Sequence, residues 1–235
     1  MAKSQMYRFL FYITGLLVLA LGLTLNTKAG LGVSPIISVS YSISEIFNHN
    51  FGNMTLALYA AFVVIQMLLH LIKGVKSVSA RSSLKTVLLM DFLQIPLSIV
   101  FTRFLNVFAA TIPDLASLGL STTAELSIRF IVLFCAIICT GIGAAMSLNM
   151  RIVPNPGDGI VQTIADAIHK KVGITKNCFD LTNITITLLI SLLCTGHIVG
   201  IGIGTILAMI GVGRTIAVFN HFTYAKMRTL AAAEH

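Results

Sequence analysis

The chain has 235 residues, 56% of them hydrophobic and only 10% charged, with a mean hydropathy of +0.93 and a formal net charge of +8. A soluble domain carries about 25% charged residues, so the composition excludes a soluble enzyme or binding module and leaves a bilayer protein with no soluble domain beside it. A nucleic-acid binder is excluded as well, because the basic residues lie between apolar runs and form no surface interleaved with aromatics.

In chain order the long apolar runs cover residues 7–25, 54–72, 84–102, 126–148, 178–195 and 198–222. Each matches the roughly 20 residues that a helix needs to cross a hydrocarbon core, which predicts six spans. The first run exceeds the about 7–15 residues of a signal-peptide core and is followed by no small-residue cleavage pattern, so it is read as a span. Two further segments, 35–47 and 156–172, are shorter and mix apolar residues with Ser, Glu, Asp, Gln and His. Each opens on a helix start signal: a polar N-cap, Ser34 or Asn155, then proline at the first helical position, where the missing N–H is not needed. At ~1.5 Å per residue the first is only ~20 Å long, too short to cross upright, so both are expected to be re-entrant or interfacial.

The same pattern occurs twice at a spacing of 121 positions. Ser34-Pro35, Glu45 and Gly52 are answered by Asn155-Pro156, Asp166 and Gly173. Such self-similarity in a membrane chain marks a transporter-like duplication. The basic residues then test the span count. With the N-terminus inside and six spans, Lys28, Arg103 and Arg129 fall outside, Arg214 falls within a span, and the other twelve of the sixteen Lys and Arg residues fall inside. Eight spans would put the cluster of basic residues from Lys73 to Lys85 on the wrong face, so the positive-inside rule selects six. Three spans per half make the second copy enter from the opposite side. The expected fold is therefore an all-α polytopic membrane protein, a single membrane domain over 1–235, with two inverted repeats of three transmembrane helices at 7–110 and 124–222, each repeat carrying one short helix.

The run Asn155-Pro156-Gly157-Asp158-Gly159, the following Gly173-Ile174-Thr175, and the glycine-rich Gly200-Ile201-Gly202-Ile203-Gly204-Thr205 resemble the YczE/YyaS/YitT group of bacterial membrane proteins. Their first-half counterpart is the stretch from Lys28 to Pro35. The resemblance covers nearly the whole chain and is more specific in the second half. It implies a multi-pass protein of the bacterial cytoplasmic membrane and carries over no substrate or site.

Ionisable groups within spans are costly and therefore informative. Asp91 and Arg214 fall at one expected depth in equivalent spans of the two halves, which predicts an ion pair serving as an inner gate or a structural clasp. The alternative leaves Asp91 facing a polar crevice and Arg214 reaching for the headgroups. The two short-helix N-termini offer unsatisfied N–H donors and partial positive charge, so Ser34, Ser38, Asn155, Gly157, Asp158, Gly159 and Gln162 are the candidate substrate-binding residues. Asp158 can cap its own helix or favour a cation, and its repeat mate is the apolar Ile37. Glu45 and Asp166 occupy matching positions near the C-terminal ends of the short helices and are candidates for proton coupling, with surface solvation as the plain alternative.

Cys135, Cys139, Cys178 and Cys194 have no C-x-x-C or Cys/His ligand spacing, and no Cys, Ser and His set suits nucleophilic catalysis. No metal, cofactor or enzyme activity is expected. Gly196, Gly200 and Gly204 recur every fourth residue, with Gly211 beyond, a spacing that reads as a helix-packing face within the chain or in a homodimer. The expected function is secondary transport of a small polar solute, anionic or carboxylate-bearing solutes included. A membrane scaffold for a cytoplasmic partner enzyme is the alternative, and a passive channel is the second.

Overall fold

The computed structural model describes residues 2–73, 84–115 and 122–231, so Lys76 and Arg81 of the basic cluster lie outside the described residues. Among the described residues eight helices follow in order: α1 (Ala2–Lys28), α2 (Pro35–Ile46), α3 (Phe51–Lys73), α4 (Leu84–Thr111), α5 (Thr122–Asn149), α6 (Pro156–Ile168), α7 (Val172–Thr195) and α8 (Ile203–Ala231). Six of them, α1, α3, α4, α5, α7 and α8, are long and apolar enough to cross a membrane. The 12-residue α2 and 13-residue α6 are not. Each half thus reads long, short, long, long.

The duplication extends to backbone detail. Gly30 and Arg151, 121 positions apart, both have positive φ, and their N–H groups donate to Thr27 and Leu148 in the same i,i−3 turn. Both short helices end in the same way. Asn48 and His169 are left-handed, at φ 51° and 55°, and the next N–H reaches back five residues, His49 to Ser44 and Lys170 to Ala165. This closure satisfies carbonyls that a helix end otherwise leaves orphaned.

The described helices divide into two compact units. The first contains α1, α5, α8 and the end of α4 from Arg103; the second contains α2 from Ile36, α3, α4 up to Thr102, α6 and α7. Each unit therefore mixes elements of both sequence halves.

The first unit is closed by glycine. A Cβ at Gly15 would lie 2.7 Å from the Ser147 nitrogen, and one at Gly22 or Gly143 would overlap the backbone of Thr140 or Leu19. Contacts between backbones at this range are what small residues permit in membrane helix pairs. The pairing order, Gly15 with Ser147 and Gly22 with Thr140, makes α1 and α5 antiparallel. Arg8 agrees, donating from Nε to the Met150 carbonyl and from its guanidinium to that of Arg151, both at 2.8 Å. Between α5 and α8 the core is Leu133, Ile137, Ala208 and Val212, and the Asn149 amide donates to Asn220 at 2.8 Å.

Several helices run past the expected limits, α4 to Thr111 and α8 to Ala231 among them, and two starts differ in ways that bear on the reading. The final span begins at Ile203 instead of 198, because Gly200, at φ 80°, turns the chain and its carbonyl accepts the Val33 N–H at 2.8 Å. Gly196 is the left-handed C-cap of α7. Gly196, Gly200, Gly204 and Gly211 therefore do not form one helix face. Gly204 packs on the Leu31 and Gly32 backbone, Gly211 packs on Ile137, and the other two glycines serve turns. The second difference is that α7 starts at Val172 instead of 178, which brings Lys176 into the span beside Asp180, with which it pairs at 3.0 Å. An i,i+4 pair neutralises both charges, so the helix continues through a stretch whose composition looked like loop.

Candidate functional site

The second unit is held together by polar side chains. Ser38 and Thr187 share a hydroxyl hydrogen bond at 2.8 Å, Ser42 and Ser191 another at 2.9 Å, and Ser40 with Thr55 a third at 3.1 Å. All six are buried. The first two bonds join α2 to α7 in parallel. Their repeat mates join α6 to α3, where Gly159 faces Gln66, and Thr163 and His70 line one cavity. The small hydroxyls of one pairing are thus replaced by long polar side chains in the other.

The longer side chains build the site. On α3, Gln66 and His70 are one turn apart; on α4, so are Asp91 and Gln94, which places each pair on one helix face. The two glutamines exchange amide hydrogen bonds at 3.2 and 3.1 Å. His70 Nδ1 lies 2.7 Å from Asp91 Oδ2, and Gln94 Nε2 lies 3.5 Å from Asp91 Oδ1. Gln66, Gln94 and Asp91 are buried, Asp91 to 4% exposure. Gly159 is what lets α6 close over them, since a Cβ there would lie 2.7 Å from Gln66 Oε1 and 3.0 Å from Gln94 Oε1. A cavity of about 240 Å³ opens against this cluster, and Gln162 and Asp166 of α6 line its other side. Burial raises the Asp166 carboxyl above its ordinary value, against the opposing pull of His70 and His169.

A second polar group lies where α6 begins. Asn155 is the N-cap, its side-chain oxygen accepting from the Gly157 N–H at 3.1 Å, with Pro156 at the first position. The Tyr59 hydroxyl, near the middle of α3, faces Asn155 and Asp158. Burial raises the Asp158 carboxyl, Lys176 opposes that shift, and the neighbouring Asp180 adds to it. Since α6 starts beside Tyr59 and ends beside His70, it runs alongside only the C-terminal half of α3.

Of the residues singled out from the sequence, Asp91, Gly159, Gln162 and Asp166 come together around the cavity. Asn155, Gly157 and Asp158 form the α6 start, and Ser38 is taken up by Thr187. Ser34 is buried in the first unit, and Glu45 is exposed on α2. Asp91, expected to meet Arg214, takes His70 as its partner. Arg214 belongs to the first unit, where it is exposed and lines an apolar cavity of about 380 Å³ with Phe130, Phe134 and Leu207. Sequence reasoning missed Gln66, His70 as a partner, Gln94, Tyr59 and Asp180. The i,i+4 spacing of Gln66 with His70 and the i,i+3 spacing of Asp91 with Gln94, each inside an apolar run, were the signals available.

Fold and site together define a multi-pass α-helical membrane protein with a polar cavity among its helices. The chain belongs to the family described as a family of unknown function (DUF6198), whose model matches residues 6–221. No curated protein and no solved structure matches it.

Proposed function

We propose that the protein is a secondary transporter of a small polar solute in the bacterial cytoplasmic membrane. In this reading it is built from two inverted repeats, with both termini cytoplasmic and with α2 and α6 re-entrant. The observation that carries the reading is the Gln66–His70–Asp91–Gln94 cluster around a cavity inside helices otherwise apolar enough to span a bilayer. Polar and ionisable groups in such helices are expensive and mark solute or ion pathways. The inverted arrangement is supported by the antiparallel contact of the repeat mates α1 and α5 and by the matching backbone turns. It gives the two halves the geometry needed to exchange conformations. Short helices that begin beside the middle of a span fit the broken-helix construction of such carriers. The resemblance to the YczE/YyaS/YitT group agrees with the membrane and the fold and adds no substrate. Asp91 and Asp166 on the cavity wall favour a neutral or cationic solute over the carboxylate-bearing one that the helix N-termini alone would attract.

Uptake into proteoliposomes of a panel of radiolabelled amines, amino acids and polyols tests the reading. Saturable uptake with counterflow is expected for at least one class. Flux that does not saturate would make the protein a channel. Absence of flux across the panel, with a cytoplasmic partner retained through the basic loops, would make it a scaffold.

A further inference from the structure

The cavity beside α6 holds two carboxylates and one imidazole. His70 Nδ1 is 2.7 Å from Asp91 Oδ2, and Asp166 lies within electrostatic reach of both His70 and His169. No Lys or Arg lines the cavity among the described residues. With His70 neutral and both carboxyls ionised the wall carries two negative charges in a medium that tolerates them poorly, a charge that a proton on the imidazole or a cationic occupant offsets. We propose that this cavity binds a small organic ammonium ion in competition with a proton on His70, so that the transporter proposed above exchanges the one for the other.

The volume and walls select the ligand class. About 240 Å³ is far more than a bare metal ion fills, and among the described residues no three His, Cys, Asp or Glu side chains are placed to hold one metal ion. Val87 and Met90 supply an apolar side for methyl or methylene groups, while Asp91 and Asp166 supply the acceptors for an N–H donor. Competition follows from electrostatics. An ammonium ion held by the same carboxylates that stabilise the imidazolium repels it at close range, so in a partly desolvated site the two cations disfavour one another. The displaced proton leaves for solvent, and the net charge of the cavity is conserved.

The duplication limits the site to one per chain. Gln66, His70, Asp91 and Gln94 have Thr187, Ser191, Val212 and Thr215 as their repeat mates, so the second copy brings no charged group to the equivalent positions. The exchange site is therefore a departure from the symmetry of the repeats.

The inference rests on the transport reading, and one set of measurements separates the two. Methylammonium chloride is titrated calorimetrically into the detergent-purified full-length protein near pH 6.5, in two buffers of different ionisation enthalpy, with potassium chloride as the control. One site per chain and binding accompanied by release of a fraction of a proton, up to one per methylammonium, are expected. His70→Gln should bind with clearly less proton release and with an affinity that depends less on pH near 6.5. Asp91→Asn should weaken binding at least tenfold; Asp166→Asn, at a less buried position, serves the same purpose if Asp91→Asn does not fold. Absence of methylammonium binding, or binding by the unmodified protein without proton release, overturns the exchange site. If proton-linked binding is present but proteoliposomes take up no methylammonium, the site stands and the transport reading falls. Saturable uptake that His70→Gln leaves with the same pH dependence supports transport and overturns the exchange.

Discussion

The two units solve the same problem, holding helices together in a solvent as apolar as themselves, by different means. In the first, Gly15, Gly22 and Gly143 bring the α1 and α5 backbones together, so dispersion contacts at short range do the work. In the second, buried hydroxyls, amides and an acid–imidazole pair replace close backbone approach. The first kind of interface tolerates almost no change in shape. The second can exchange one hydrogen-bond partner for another, which is what a binding region that must open requires. In the transporter proposed above, the first unit would serve as the rigid frame and the second as the region that handles solute.

The largest effect that would break this comparison lies in the first unit. Gly143→Ala puts a methyl group into the Leu19 backbone, where nothing can yield, and should cost about 3 kcal/mol or more, read as loss of folded protein in detergent by size-exclusion and thermal unfolding. Gly159→Ala meets only the ends of two flexible glutamines. It should leave the protein folded while breaking the reciprocal amide pair, at about 1–2 kcal/mol in the same assay. If Gly159→Ala proved as damaging as Gly143→Ala, the contrast between the units would be lost. Ser42→Ala removes one interhelical hydroxyl bond of the kind worth about 0.6 kcal/mol in membranes, a small shift in melting temperature. Gly173→Ala, whose Cβ meets nothing within 4 Å, should be neutral or slightly stabilising, since alanine is the better helix former.

The sequence carried the framework further than the chemistry. The spacing of Ser34-Pro35 and Asn155-Pro156 located both short helices to within a residue at their starts, because proline at the first helical position and a polar N-cap are local signals. The 121-residue spacing was legible for the same reason, and Asn48 with His169 and Gly30 with Arg151 keep that spacing in the turns. Partner choice was not legible. Asp91 can be recognised as costly from its place in an apolar run, but whether it meets His70 or Arg214 depends on how α3 and α4 are rotated and packed, which no local pattern encodes. Lys176 and Asp180 hid a different way. Lys176 ended the apparent apolar run and displaced the expected start of α7, although Asp180 four residues on forms a neutral pair with it. The glycine run from Gly196 misled because a helical spacing was read across a turn.

Labelling the repeat mates Phe47 and Ile168 tests the central claim most directly. Both are about half exposed, at 52% and 51%, and they occupy equivalent positions near the ends of α2 and α6. Single cysteines at these sites, in a chain with its four native cysteines replaced, would be challenged with a membrane-impermeant thiol reagent in intact cells and again after permeabilisation. Inverted repeats with re-entrant short helices predict opposite faces: the cysteine at 47 labelled in intact cells, the one at 168 only after permeabilisation. Both cysteines on the same face would mean that α2 and α6 cross the membrane and the repeats are parallel, and the inverted-repeat transporter would be contradicted.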